Sequence, residues 1–394
     1  MTKYTKVRLL EMMNRVGGMP VLKEVGMNGM SDLPPGISSN DFMSLEDYNK
    51  QVPCSTGVNE NNPNDFGAKM KPVKDIQKLL NKKDSEIASK RQDYDTGGRI
   101  HSGTLDDIRL DDNTFDVEEL KNILKQVPNQ KQFLSQNGKM GKSNFYNVTL
   151  PAFKGLIYNQ KDDNFYVISV CSKAGECTRD CYAQMGRYIM FDATVRLNTQ
   201  KLNYLMNHWT EWKTRMITTI KALSWGGGAV VRWHDSGDFI SEKYLQIAFD
   251  IAKATPNDNH YAYSKEVGMI QGSQIPSNFE IKYSYGGKED DLINPTTDGH
   301  ARIVPEELFK DLQPKETGTG WNFTPQAIEI LKDRIAKQYK VKRDILITND
   351  EMMQIPYDNK EKHVRRWIVI NWSGNNDIPA LRKDVLAVYN LKHR

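Results

Sequence analysis

Short runs of β-forming residues alternate with longer runs of helical periodicity from about Asn144 onward, and this alternation limits the chain to few folds. The run A-V-V-R-W (Ala229–Trp233) is followed by the helical stretch E-K-Y-L-Q-I-A-F-D-I-A-K-A, and the next short run begins at His260. Strands that alternate with helices in this way form βα units around a parallel sheet. The sequence therefore predicts an α/β fold.

Individual elements follow from the same pattern. The predicted strands of the first half are Phe165–Val170, Ala229–Trp233, His260–Ser264 and Phe279–Tyr285. Apolar residues at helical spacing predict a helix from about Ala193 to Leu223, and Ser241 is expected to cap the helix after the second strand. If the sheet is parallel, the carboxyl ends of these strands lie along one rim.

The final hundred residues contain fewer clear elements. Thr324-Pro325 opens a predicted helix through Ile335, because proline suits the first helical position. Trp367–Trp372 (W-I-V-I-N-W) is a predicted strand, whereas the segment between Asp290 and Trp321 is loop-rich and is expected to cover the rim.

The N-terminal part of the chain is different in composition. Gly, Pro, Asn and Asp punctuate residues 17–67, and only short helices are predicted, at Val7–Val16, Val73–Leu80 and Val117–Val127. We therefore expect a loosely structured region over residues 1–140 and an α/β domain over residues 141–394 that carries the cysteines.

Bulk properties exclude some classes of protein. No stretch approaches the about 18 uninterrupted apolar residues of a membrane span, and the N-terminus lacks the pattern of a secretory signal, so we expect a cytoplasmic protein with no membrane partner. The net charge of +4, from 54 basic and 50 acidic residues, permits a nucleic-acid partner without demanding one.

Three of the four cysteines, Cys171, Cys177 and Cys181, lie within eleven positions on the loop after the first predicted strand. Thiolates bind zinc and iron–sulfur clusters, and such close spacing lets one loop wrap one metal centre. Cys54 stands apart and is expected to have no chemical role.

The ligand count leaves two metals open. A structural zinc usually takes four protein ligands, and His234 at the end of the next strand is a candidate for the fourth. An iron–sulfur cluster with one open iron needs only the three cysteines and is completed by a substrate or cofactor. The loop is polar, which argues against cysteines buried together without metal. We therefore favour the cluster and keep zinc as the alternative.

The order of these elements resembles the first half of a radical S-adenosylmethionine (radical SAM) partial barrel. More narrowly, C-T-R-D-C-Y-A, V-V-R-W-H-D-S-G-D-F and H-Y-A-Y-S-K are similar to a bacteriophage family of the gene-product-eighty-eight type. The resemblance covers about residues 144–290. The cysteine spacing departs from the usual radical SAM pattern, because five and then three residues separate the cysteines and the aromatic Tyr182 follows the last one.

The resemblance implies a partial parallel (β/α) barrel with a [4Fe-4S] cluster on three cysteines and S-adenosylmethionine on the open iron. In that superfamily a Gly-Gly-Glu turn contacts the methionine amino group, and Ser236-Gly237-Asp238 occupies its place here. An Asp in place of Glu shortens the reach by one methylene. The resemblance further implies cleavage of S-adenosylmethionine to a radical, with an unidentified electron donor and a nucleotide or nucleic acid as the guessed substrate, in the host cytoplasm if the chain is phage-encoded.

Other rim residues extend this candidate site. Ser264, Lys265 and Ser284 end the next two strands, where hydroxyls and an ammonium suit a cofactor carboxylate, although they suit solvated strand ends equally well. Asp235 and Asp238 are equally suited to capping the following helix. Two other classes of function stay open. One is a zinc-stabilised module that binds nucleic acid or protein, and the other is a phage structural or accessory protein.

Overall fold

The fold is described from a computed structural model. It describes residues 61–92, 105–136, 144–178, 181, 183, 192–224, 228–312, 315–317, 320–358, 363–372 and 377–391. Cys54 and the helix predicted over Val7–Val16 lie outside these residues. No helix in the part of the chain so described is long and apolar enough to cross a membrane.

The strands form a large parallel sheet and two small antiparallel ones. Their bounds are β1 Met70–Pro72, β2 Phe145–Thr149, β3 Lys154–Asn159, β4 Asn164–Ser169, β5 Val230–Ser236, β6 Asn259–Ser264, β7 Phe279–Ser284, β8 His300–Val304, β9 Lys315–Thr317, β10 Gly320–Asn322, β11 Leu346–Thr348, β12 Trp367–Asn371 and β13 Val385–Leu391. Eight of them lie in the order β11-β12-β13-β8-β7-β6-β5-β2, and every neighbouring pair is parallel. The predicted α/β fold with a parallel sheet is confirmed.

Helices connect and cover these strands. Their bounds are α1 Ile76–Gln92, α2 Val117–Lys125, α3 Gln130–Phe133, α4 Asp192–Asn207, α5 Trp209–Leu223, α6 Glu242–Ala254, α7 Val267–Gln271, α8 Pro325–Tyr339, α9 Asn349–Met353 and α10 Ile378–Leu381. The predicted cap at Ser241 is present, since its side chain accepts a hydrogen bond from the amide of Tyr244. The helix predicted from Thr324-Pro325 begins at Pro325, and the Thr324 side chain caps it by accepting from the amide of Ala327.

The single helix predicted over Ala193–Leu223 is two helices. His208 separates α4 from α5, because its φ of −141° and ψ of 45° lie outside the helical region. The side chain of Asn207 donates to the carbonyl of Tyr158 in β3, which holds the end of α4 against that strand. Apolar periodicity runs through both helices, so the pattern alone does not reveal the break.

The strand predicted at Phe165–Val170 does not belong to the parallel sheet. It is β4, which lies between β1 and β3 in an antiparallel sheet of three strands. Residues 160–163 connect β3 to β4 in a tight hairpin, and such local pairing has a small loop-closure cost. The first strand of the parallel sheet is instead β2, at its edge.

The segment predicted to be loop-rich, between Asp290 and Trp321, contains β8. This strand lies inside the sheet between β7 and β13. Its sequence, H-A-R-I-V, is short and contains a histidine and an arginine, so its strand character comes from pairing on both sides rather than from its own composition.

The two faces of the parallel sheet carry different side chains. The first face carries Trp233 and Phe279, which belong to the main hydrophobic core. The second face carries the alternate residues of each strand, because side chains alternate along a strand. In register order, this face includes Arg232, Tyr261, Tyr263, Lys265, Lys282, Ser284, Ala301, Ile303, Val388 and Asn390.

Candidate metal and cofactor site

The cysteine loop, residues 171–181, begins directly after β4 and crosses to the carboxyl ends of the parallel strands. Ala174 forms an isolated antiparallel bridge with Gly287, just beyond β7. The amides of Gly175 and Cys177 lie 3.2 and 3.4 Å from the carbonyl oxygen of Gly286, to which both donate. The loop therefore lies at the rim of the sheet, although the strand that leads into it belongs to a different sheet.

Two glycines allow this close approach. A Cβ on Gly175 would lie 2.9 Å from the carbonyl oxygen of Gly286, too near for any side chain. Gly237 has a φ of +92°, and a Cβ there would lie 2.9 Å from the Leu150 Cβ and 3.0 Å from a methyl of Val170. Gly237 is therefore required for packing the turn against the strands before the cysteine loop.

The three cysteines form no disulfide with one another, and each is partly exposed. Burial, and next the charge of Asp238, raise the pKa of Cys171 to about 12, and the charges of Cys181 and Cys177 act in the same direction. A thiol with such a pKa stays protonated at neutral pH. Because a metal ligand is the thiolate, a bound cation would have to supply the stabilisation that ionises Cys171.

The donor chemistry of the loop fits a metal held by thiolates, since three thiols that interact electrostatically lie on one rim. Among the described residues, however, no group of three or more His, Cys, Asp or Glu side chains is arranged to hold a metal ion. The structure thus brings the cysteine sulfurs to the same part of the rim, but it does not arrange them as the ligands of one metal ion.

The residues predicted to bind a cofactor form one hydrogen-bonded group beside this loop. The buried carboxylate of Asp238 accepts from the Ser264 hydroxyl at 2.6 Å and from the backbone amide of Lys265 at 2.9 Å. The Lys265 ammonium donates in turn to the Ser284 hydroxyl at 2.7 Å. Three strand ends, those of β5, β6 and β7, are joined through these side chains.

Within this group, Asp238 is engaged by the protein itself. It also accepts a bond from the amide of Phe239 at 2.8 Å, and burial raises its pKa. It does not cap α6, a role that Ser241 fills. Ser236 differs, because its buried hydroxyl has no hydrogen-bond partner among the described residues.

His234 lies on the first face of the sheet. Its ring packs edge-on against Phe239, with centroids 4.6 Å apart, and its Nε2 lies 3.0 Å from the Tyr244 hydroxyl. Burial lowers its pKa to about 3, so the ring is neutral. Its φ of +62° coincides with an irregularity in the pairing of β2 with β5, and its buried Nδ1 has no partner within the described ranges.

The carboxylate of Glu266, which is not among the predicted site residues, fastens the cysteine loop. Glu266 accepts from the Ser172 hydroxyl at 2.5 Å and from the amide of Lys173 at 3.3 Å. Lys173 pairs with Glu289 at 2.5 Å. Glu266 follows Ser264-Lys265 directly in the chain. Its position just after a predicted strand is the sequence feature that could have indicated a place at the rim.

The chain matches one known protein family over most of its length. The family model described as gene product 88 matches residues 123–365, more than half of the chain. The chain belongs to the gene product 88 family. The match includes the cysteine loop and strands β2 to β8, so the site described above lies within the part that defines this gene product 88 protein. No curated protein and no solved structure matches it significantly.

Proposed function

We propose that this gene product 88 protein is an iron–sulfur protein in which Cys171, Cys177 and Cys181 hold a [4Fe-4S] cluster. The observation that carries the proposal is the position of the three thiols, on one loop that is bonded to the carboxyl ends of parallel strands beside Asp238. Open α/β sheets bind their ligands at this edge. Metal binding would draw the thiolates into a ligand set and stabilise their charge.

We further propose radical SAM-type chemistry on a partial barrel, acting on a nucleotide, a nucleic acid or another substrate in the host cytoplasm. Bound to the cluster, S-adenosylmethionine would supply a radical on reductive cleavage. The Lys265 ammonium donates to the hydroxyl and the carbonyl of Ser284 and to the carbonyl of Tyr285, and it would exchange one of these bonds for one to the cofactor carboxylate. The unpartnered hydroxyl of Ser236 would meet a polar group of the cofactor. Asp238 and Ser264 would position Lys265, and Gly237 would keep the turn closed.

A zinc-stabilised module that binds nucleic acid or protein is the second candidate. The observation that favours it is the unpartnered Nδ1 of the neutral His234, because a neutral imidazole nitrogen is a good zinc ligand. Zinc would replace the cluster on the same three cysteines.

Anaerobic purification with absorption spectroscopy and metal analysis tests the cluster. We expect a brown protein with about four iron atoms per chain. The variant Cys177→Ala should lose the iron, whereas the matched control Cys54→Ala should keep it. A colourless protein with one zinc, or full iron content in Cys177→Ala, would contradict the iron–sulfur proposal.

Incubation with S-adenosylmethionine and a reductant tests the radical chemistry. We expect 5′-deoxyadenosine as a product, in lower yield for Lys265→Met at unchanged iron content. A cluster-loaded protein that forms no 5′-deoxyadenosine would keep the cluster and remove the radical chemistry.

A further inference from the structure

Three asparagines form a row on the second face of the sheet, at the carboxyl ends of adjacent parallel strands. Asn349 directly follows β11, Asn371 ends β12, and Asn390 lies near the end of β13. The Asn349 amide donates to the Asn371 side-chain oxygen at 2.6 Å, and the Asn371 amide donates to that of Asn390 at 2.8 Å.

The character of this face changes abruptly at the row. Two residues earlier in the same strands, the second face carries the buried apolar side chains Ile347, Val369 and Val388, which pack in one cluster. Buried amides cost free energy unless they are hydrogen-bonded, and apolar residues would serve stability equally well or better. A switch to amides at one level of three adjacent strands therefore indicates a requirement other than packing.

The outer end of the row is open to a ligand. Asn390 is partly exposed. Its Oδ1 receives the bond from Asn371, and its Nδ2 has no hydrogen-bond partner among the described residues. The register partner of Asn390 on β8 is Ile303, whose side chain is 65% exposed. An amide and an exposed apolar side chain thus lie next to each other on a strand edge of the kind where α/β sheets bind ligands.

The position of this pair relates it to the cysteine rim. Ser284 on β7 pairs with Ala301 on β8, and β8 pairs in turn with β13, which carries Asn390. Ser284 and Asn390 therefore lie on the same face, with one strand between theirs. Two strand spacings amount to about 10 Å. Asn390 also lies two residues further along its strand than Val388, the residue level with Ala301 and Ser284, so a ligand on Asn390 need not contact Lys265 or Ser284.

We infer that Asn390 and Ile303 form a binding site for the base of a nucleoside. An asparagine amide pairs in two bonds with the donor and acceptor edge of a nucleobase. Ile303 provides the apolar surface that the face of a planar ring would cover, and the row itself contains no charged side chain that would favour a phosphate. The inference goes beyond the metal centre and does not depend on it.

Nucleoside binding by the full-length chain tests this site, with adenosine and uridine as probes in saturation-transfer NMR and calorimetry. The Cys177→Ala chain serves as the metal-free background. We expect at least one of the two nucleosides to bind to both chains. Asn390→Leu, which removes the amide, should weaken binding at least tenfold, whereas the exposed Asn322→Leu control should bind as the parent chain does.

Asn390→Asp keeps an acceptor for the Asn371 amide but replaces the outward donor with an oxygen. It should fold and still lose binding at least tenfold. Absence of binding of both nucleosides to the parent chain would overturn the inference, and so would parental affinity in Asn390→Asp. Because binding is measured both in the parent chain and in the Cys177→Ala chain, loss of the iron–sulfur proposal would leave the expected outcome unchanged.

Discussion

Glu266 is a buried carboxylate that fastens the cysteine loop from the end of β6. Burial raises its pKa to about 7, and the nearby charge of Asp238 adds to this, while the bond from Ser172 opposes it. Its ordinary value is 4.5. Protonation of Glu266 thus falls in the physiological range of pH.

The raised pKa predicts how stability depends on pH. Between about pH 4.5 and pH 7, Glu266 is protonated in the folded chain and ionised in the unfolded chain. The stability that this group contributes is therefore fully present below pH 4.5 and is lost as the pH rises through 7. Glu266→Gln keeps an acceptor for Ser172 and cannot titrate. We expect wild type to lose unfolding free energy relative to Glu266→Gln over this range, measured by urea denaturation at several pH values.

Comparison of the two chains cancels the other titrating groups. His234 and His260 have pKa values lowered to about 3 by burial, so they change stability in the opposite direction below pH 6.5, but equally in both chains. A difference between the chains that stays constant from pH 4.5 to pH 8 would show that Glu266 does not titrate as its burial implies.

At the scale of elements, the turn after β5 depends on Gly237. Gly237→Ala would place a methyl group 2.9 Å from the Leu150 Cβ at a positive φ. Overpacking of this kind costs about 1–3 kcal/mol, and the strained φ adds to it. We expect a corresponding loss of unfolding free energy in urea denaturation.

Gly272→Ala is the matched control for this prediction. Gly272 has a φ of −80°, and no atom lies within 4 Å of the position that a Cβ would take there, so alanine fits. The control should be neutral or stabilising by up to about 1 kcal/mol. Equal stability of Gly237→Ala and Gly272→Ala would contradict the tight turn.

Periodicity predicted the elements that have strong patterns of their own. Strands β5, β6 and β7, their parallel pairing and the cap at Ser241 follow from alternation and local chemistry. β8 was missed, because an arginine and a histidine in five residues hide a strand that is defined by its neighbours. The prediction that β4 belongs to the parallel sheet was wrong, because the residue pattern of a strand does not determine which strand it pairs with.

The candidate site shows the same division. Position after a strand predicted that Asp238, Ser264, Lys265 and Ser284 would meet at one rim, and the structure brings them together. The position of Asp238 after a strand did not reveal that its carboxylate accepts hydrogen bonds from Ser264, Lys265 and Phe239 within the protein. The asparagine row was also missed, since each member is an ordinary strand-end residue until the register aligns them.

At the scale of the whole molecule, two of the hydrophobic cores that the described residues form lie side by side on the parallel sheet. One core contains residues of β2 and β5 to β7, and another contains residues of β11 to β13. Lys282 links the two parts on the second face. Its fully buried ammonium donates to the carbonyl of Val385 at 2.6 Å and pairs with Glu280 at 2.9 Å.

Lys282→Met should weaken this connection. Removing one partner of a buried ion pair costs about 3–5 kcal/mol, and we expect the lower end because Arg365 still contacts Glu280 at 2.6 Å. Urea denaturation measures the loss. Lys253→Met, at an exposed position on α6, should change stability by less than about 0.5 kcal/mol. A loss no greater than that of this control would show that Lys282 does not link the cores.

β13 follows β11 and β12 in the chain but lies between β12 and β8 in the sheet. During synthesis on a ribosome, β11 and β12 therefore emerge before the strand that joins them to the rest of the sheet. Until β13 arrives, β8 and β12 each present an unpaired edge, and such edges promote association between chains. The asparagine row is likewise completed only at this step, so a nascent chain would acquire the Asn390 site only after β13 has emerged.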